Sequence, residues 1–296
     1  MANLKEVRSR IASTISTQQI TKAMKLVSAT KLRRAQGQIQ QMRPYAQKIK
    51  SILASLGNNT SSAEIAPYIE GREVNKVLLV VITSDRGLCG GFNANIIKTT
   101  SNLLRGKYSE QNSAGNVHLL CIGKKAYDFF SKTKTKTFND FRDLFQNFNS
   151  ENTSKAGQWV IEKFLAKEYD EVVMVYNQFK NAASQIITTE KFLPVDVKEF
   201  ETIGSKQHVK KDYIFEPNQD EILKTLIPLS LKTQVFKACI DSWASEHGAR
   251  MVAMDKATEN AGELLKSLRL QYNQARQAAI TKEISEIVGG AAAMNG

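Results

Sequence analysis

The stretch LSLKTQVFKACIDSWASEHGARMVAMDKATENAGELLKSLRLQYNQARQAAITKEISEIV, residues 229–288, decides the fold. It contains no proline and is dense in Ala, Leu, Lys, Glu, Gln and Arg, residue types that lose little side-chain freedom in a helix. One continuous helix of this length would run about 90 Å at roughly 1.5 Å per residue. A globule of 296 residues is only about 50 Å across, so such a helix must project from any core, and it requires a partner. Ala257, Ala261, Leu264, Leu268, Tyr272, Ala275 and Ala279 recur at spacings of 4, 3, 4, 4, 3 and 4, close to the repeat that keeps one seam on a neighbouring helix. At the far end Ile280, Ile284, Ile287 and Val288 have no intrachain partner in view and call for a foreign surface.

The other end of the chain supplies a first partner. Residues 3–56 are rich in helix formers, and Ala35, Ile39, Met42, Ala46, Ile49, Leu53 and Leu56 form a heptad seam. Pro44 interrupts the seam and should kink the helix without having to end it. Continued toward the N-terminus, the seam meets Thr14, Gln18, Thr21, Lys25 and Ser28 before Ile11, Val7 and Leu4 restore it. This polar gap is expected to weaken the pairing, and a shifted stripe of Ile20, Met24 and Val27 offers a face to a second partner. Residues 57–62 read as a closing polar loop.

Charge is placed as unevenly as hydrophobicity. Residues 1–56 hold eleven Lys and Arg against the single acid Glu6, a net +10 of the chain's +12, while residues 220–296 hold nine of each sign. A field of that sign attracts an acidic partner: a protein surface, nucleic acid or anionic lipid.

Between the helices the period changes. Val77-Leu78-Leu79-Val80-Val81-Ile82 does not alternate, as expected of a strand covered on both faces of a parallel sheet. A helix over 94–104, a strand over 118–122, helices over 124–130 and 154–167, and a strand over 171–178 follow in βαβα order. The alternating segment 185–192 reads as an edge strand joined by a hairpin at Asn181. Asp220 begins the return helix, with Pro228 as an early break. The expected organisation is a coiled-coil helix over 1–60, an α/β domain over 73–210, and a coiled-coil helix over 212–296, the two chain ends pairing antiparallel.

Several classes lose support. The longest apolar run, Val77 to Ile82, is far short of the roughly 20 residues that span a bilayer. The N-terminus has no apolar core before a small-residue cleavage site, and an intact Met1 favours a bacterial cytoplasmic setting over a processed organellar chain. Cys89, Cys121 and Cys239 form no CxxC pair, which speaks against a metal or dithiol centre. Gly87-Leu88-Cys89-Gly90-Gly91, after a buried strand and before a helix, resembles a phosphate-cradling turn. Its spacing, however, matches neither GxGxxG nor the Walker pattern. His118, His208 and His247 have no evident route to Cys89, and no carboxylate pair stands at a catalytic spacing. A nucleic-acid reading of the basic helix lacks the interleaved aromatic residues that stack on bases. No cofactor and no metal are expected.

The segments Ile20-Thr21-Lys22-Ala23-Met24-Lys25-Leu26-Val27-Ser28-Ala29-Thr30-Lys31-Leu32, Ser84-Asp85-Arg86-Gly87-Leu88-Cys89-Gly90-Gly91-Phe92-Asn93, Ala249-Arg250-Met251-Val252-Ala253-Met254 and Tyr272-Asn273-Gln274-Ala275-Arg276-Gln277-Ala278-Ala279-Ile280-Thr281, in this order, closely resemble the gamma subunit of F-type ATP synthases. The ending Ile287-Val288-Gly289-Gly290-Ala291-Ala292-Ala293 extends the match. That family's fold, a long antiparallel coiled coil of the N- and C-terminal helices with an inserted Rossmann-like α/β domain, agrees with the organisation above.

The resemblance implies a rotor shaft. In that family the coiled coil stands inside a hexamer of alpha and beta subunits, its tip turns in an apolar sleeve, and its foot sits on the membrane c ring beside epsilon. Proton-driven rotation would carry the beta subunits through binding, synthesis and release, so catalysis would lie on beta and this chain would have no active site. It would be a peripheral protein on the cytoplasmic face of the membrane. Residue by residue, Lys22 and Met24 match positions that face beta, as do Arg250, Arg276 and Gln277. Ile280, Ile284, Ile287 and Val288 match the tip within the sleeve. Chloroplast members carry a regulatory cysteine pair in the central domain, and the polar segment 199–211 has no cysteine. Gly248 and Gly262 are expected to permit close approach or bending.

Overall fold

The chain begins as α1 (Leu4–Gly57), which runs through Pro44 without ending. The short α2 (Ala66–Ile69) leads to β1 (Val77–Ile82), α3 (Phe92–Arg105), α4 (Ser109–Ser113), β2 (Val117–Ile122) and α5 (Lys124–Phe130). Then come β3 (Lys136–Phe138), a 3-10 turn at Leu144–Asn147, α6 (Ser150–Leu165), β4 (Glu171–Phe179), β5 (Gln185–Leu193) and finally α7 (Gln219–Met294). This computed structural model describes residues 4–57, 66–195, 216 and 218–294. The expected loop at 57–62 beyond Gly57 and the polar segment at 199–211 lie outside the described residues.

The strands form one sheet in the order β3-β2-β1-β4-β5, parallel except for β5, which pairs antiparallel with β4. β1, at the centre, is wholly buried because both sheet faces are covered. Leu79, Val81, Leu119, Cys121 and Val175 on one face pack with Phe92, Ile96 and Leu104 of α3 and Phe130 of α5. On the other face Leu78, Val80, Leu120, Val172 and Met174 meet Val160, Ile161 and Phe164 of α6, Ile49 and Leu53 of α1, and Leu223, Ile227, Leu231 and Val235 of α7. The alternation of Leu78 and Leu79 between these two cores is the period-2 geometry of a strand.

The chain divides into two compact units, Ala29–Arg250 and Met1–Ser28 with Met251–Gly296. α1 and α7 each contribute to both. In the second unit the two helices are paired antiparallel: Lys25 meets Asp255, Thr21 meets Thr258, and Gln18 reaches Thr258 and the Cα side of Gly262.

Three expectations are corrected. Pro228 lies inside α7 instead of breaking it, for Ile227 and Leu231 on either side are anchored in the core and hold the helix through the missing donor. The seam of α7 runs through Leu265, not Leu264, which is half exposed; Met254, Ala261, Leu265 and Leu268 are buried. Thr258, a polar residue, occupies a seam position and gives the 4, 3, 4, 3 spacing from Met254 to Leu268. The polar gap in α1 is likewise the pairing surface itself, since Thr21 and Ser28 are buried. The strand β3 had no signal, because three residues with one inward-facing side are too short to show a period.

Candidate functional site

Strand order reverses direction from β1: β2 lies on one side of it and β4 on the other. In doubly wound sheets the crevice beyond the carboxyl ends of the strands at such a point is where ligands bind. Here the Ser84–Gly91 turn follows β1 at that crevice, and it is held from within. Asn93 accepts from the Ser84 amide at 3.0 Å and donates to the Ser84 hydroxyl at 2.8 Å and to the Cys89 sulfur at 3.2 Å. Thr83 accepts from the Ala126 amide at 2.9 Å. Gly123, at φ +100°, lets the next loop approach so closely that a Cβ there would lie 2.1 Å from the Thr83 carbonyl oxygen.

The crevice is occupied by α7. Ser245 donates to the carbonyl of Asn177 at the end of β4, at 3.2 Å, and Asn177 donates to the carbonyl of Phe92 at 3.4 Å. Gly248 is there for close approach, as a Cβ on it would lie 3.1 Å from the Cα and carbonyl oxygen of Ala182. Arg250, nearly fully buried, donates to Glu246 at 2.5 Å and, through its second terminal nitrogen, to the carbonyls of Arg86 and Gly87 at 3.1 and 3.2 Å. A phosphate cradle aims backbone N–H groups at an anion. This turn aims two carbonyls at a cation that the chain itself supplies, which answers the nucleotide reading of Gly87–Gly91.

Electrostatics follow from that burial. Glu246 is raised above the usual carboxylate range by burial, with Arg250 pulling the other way. Burial first, then Arg250 and Lys31, lowers His247 to about 3, so its ring is neutral; one ring nitrogen faces Arg250 at 3.3 Å. Burial raises Cys89 and pushes Cys121 and Cys239 up to about 12, far from thiolate chemistry. His118 is spent on the Tyr169 hydroxyl at 2.8 Å, and His208 lies outside the described residues. Among the described residues no group of His, Cys, Asp and Glu could hold a metal ion, and no helix is long and apolar enough to cross a membrane.

On the helical pair of the second unit, Lys22 is exposed and Met24 half-buried on α1, and Arg276 and Gln277 are exposed on α7. Ile20 and Val27 are also exposed, so the shifted stripe does point outward, with Met24 at its edge. Ile280, Ile284, Ile287 and Val288 are 47, 55, 71 and 61% exposed, an apolar helix end left bare by the chain. Arg250 is the exception among the expected contact residues, being buried with all its partners internal. Glu246, Ser245 and Asn93 were not singled out from the sequence. The Glu246–Arg250 spacing of four was the available signal.

The ATP synthase family model matches residues 3–294. The chain belongs to the ATP synthase gamma chain family. It is 51% identical over 295 residues to the gamma chain of Cytophaga hutchinsonii and 52% identical over 296 residues to that of Flavobacterium johnsoniae, with all of each chain covered in both cases. Among solved structures it is similar to a chain in the central stalk and c-ring structure of the Tetrahymena thermophila mitochondrial ATP synthase, at 27% identity and a TM-score of 0.58, covering 80% of this chain and 99% of that one. A Euglena gracilis mitochondrial ATP synthase rotor chain shares the fold at 20% identity and a TM-score of 0.61, covering 94% of this chain and 98% of that one.

Proposed function

We propose that this gamma chain is the central rotor shaft of an F-type ATP synthase, coupling proton-driven rotation of the membrane c ring to conformational cycling of catalytic beta subunits. The observation that carries the reading is the end of α7, where Ile280, Ile284, Ile287 and Val288 stand exposed on a helix that no segment among the described residues covers. Such a surface marks an interaction site for an apolar partner, and an alpha and beta sleeve would supply one. Lys22, Met24, Arg276 and Gln277 lie on the outward surface where beta subunits would engage. Arg250 acts on the same contact indirectly, through the turn it holds. Epsilon and the c ring take the α/β part of the chain, which places it as a peripheral protein on the cytoplasmic face of a bacterial membrane.

Catalysis belongs to beta in this reading. Among the described residues Cys89, Cys121 and Cys239 are buried with raised thiols, while an asymmetric shaft contacts three like subunits differently and so shifts their equilibria differently. Differential contact free energy is what conformational coupling requires. No nucleic acid enters the reading. Reconstitution with alpha and beta subunits tests it: hydrolysis should become cooperative only with this chain present, and a bead fixed to it should turn. Full cooperative hydrolysis by alpha and beta without it would overturn the reading.

A further inference from the structure

Leu88 combines three observations. Its φ is +62°, a left-handed conformation that a branched apolar residue avoids. The residue is 65% exposed, so no burial compensates for that conformation. It sits beside the two carbonyls that Arg250 grips. An unfavourable backbone conformation persists only where surrounding structure over-determines it, and a buried, charge-assisted fork on successive carbonyls is a strong constraint. The fork is itself aimed: Glu246, one turn earlier on α7 and equally buried, takes one terminal nitrogen and leaves the other for the turn. The turn presents Arg86, Gly87 and Leu88 outward, followed after the buried Cys89 by Gly90 and Gly91.

We infer that Arg250 is a positioning residue, oriented by Glu246, which fixes the Ser84–Gly91 turn to α7 so that the turn's outward face is held at a set place on the shaft helix. The crevice that a doubly wound sheet opens to a ligand is thereby used as a socket, and α7 is the resident in it. The function of Arg250 is exerted through the turn and not by its own contact with another subunit. The inference deepens the rotor reading and rests on it for its second readout alone.

The test uses the full chain with Arg250→Lys, which keeps the charge and the pairing with Glu246 but lacks the planar fork. Glu246→Gln is the second variant, which leaves Arg250 in place but weakens its orientation. Amide exchange of the Ser84 and Phe92 N–H groups, bonded to Asn93 and to Cys89 respectively, should accelerate about tenfold in Arg250→Lys and less in Glu246→Gln, with β1 and β4 amides unchanged. In the complex assembled with the remaining synthase subunits, proton pumping per ATP hydrolysed should fall in the same order. Unchanged exchange at the turn would overturn the inference, whether or not coupling falls; so would a loosened turn with coupling intact. A wild-type complex that neither pumps nor rotates would sink the rotor reading and leave the exchange result standing.

Discussion

The two units of this chain are built on opposite terms. In the Ala29–Arg250 unit the sheet is covered on both faces, and side chains such as Leu78, Leu79, Ile96 and Phe164 have no exposed surface. In the unit formed by the chain ends only a narrow seam is buried, part of it polar, and beyond Leu268 every described residue is half or fully exposed. Burial at about 25 cal/mol per Å² therefore stabilises the first unit from within. The second takes its stability from helix propensity, one seam and whatever covers it. A chain that keeps one unit self-sufficient and leaves the other with a narrow seam and an exposed apolar tip is organised around partners.

The sharpest way to break the comparison is in the α/β core. Phe164→Ala should lower the unfolding free energy of the chain by about 3–5 kcal/mol, measured by urea titration; a loss under about 1 kcal/mol would mean that the core is not what holds this unit. Next comes the joint. Gly248→Val adds atoms where a single Cβ already lies 3.1 Å from the Ala182 backbone, and it should destabilise by about 1–3 kcal/mol even though valine is the better helix former.

Asp241 gives an effect of the opposite sign. Burial raises it to about 6, against the pull of Lys237 and Arg43. Because the folded value lies above the unfolded one, its contribution to stability is complete below about pH 4 and is lost as pH rises through about 6. Asp241→Asn should therefore be more stable than the wild type at pH 7.5 by about 2 kcal/mol, with the difference vanishing toward pH 4. Parallel stability curves from pH 4 to 8 would refute this. Smallest of all is Ile287→Ser, expected to change the stability of the isolated chain by less than about 0.5 kcal/mol while weakening the assembly with alpha and beta subunits that the proposed rotor role requires. Equal effects on both would erase the distinction between the two units.

Much of this was legible in the residues because long helices and doubly buried strands write strong periods. The 229–288 stretch, the strand Val77–Ile82 and the antiparallel edge at 185–192 needed no tertiary information. What escaped notice depended on pairs far apart in sequence. Thr258 reads as a solvated threonine until Thr21 is placed 2.8 Å from it, and without it the apolar spacing alone points to Leu264 instead of Leu265. Arg250 reads as a surface contact until the carbonyls of Arg86 and Gly87 arrive from more than 160 positions away. Polar groups matched across such distances leave no local pattern, whereas apolar ones do.

The end of α7 has one more property, and it concerns friction. From Ile287 to Ala293 the helix carries Ile, Val, two glycines and three alanines, and a Cβ added at either glycine would touch nothing. No side chain in that run can form a hydrogen bond. Each directional bond broken and remade during a turn would set a step of about 1 kcal/mol in the path, while individual dispersion contacts are worth about 0.1–0.2 kcal/mol and blur into one another. Turning inside the apolar sleeve proposed for it, a helix end so faced would meet a nearly level energy profile, with ripples small enough for heat to cross.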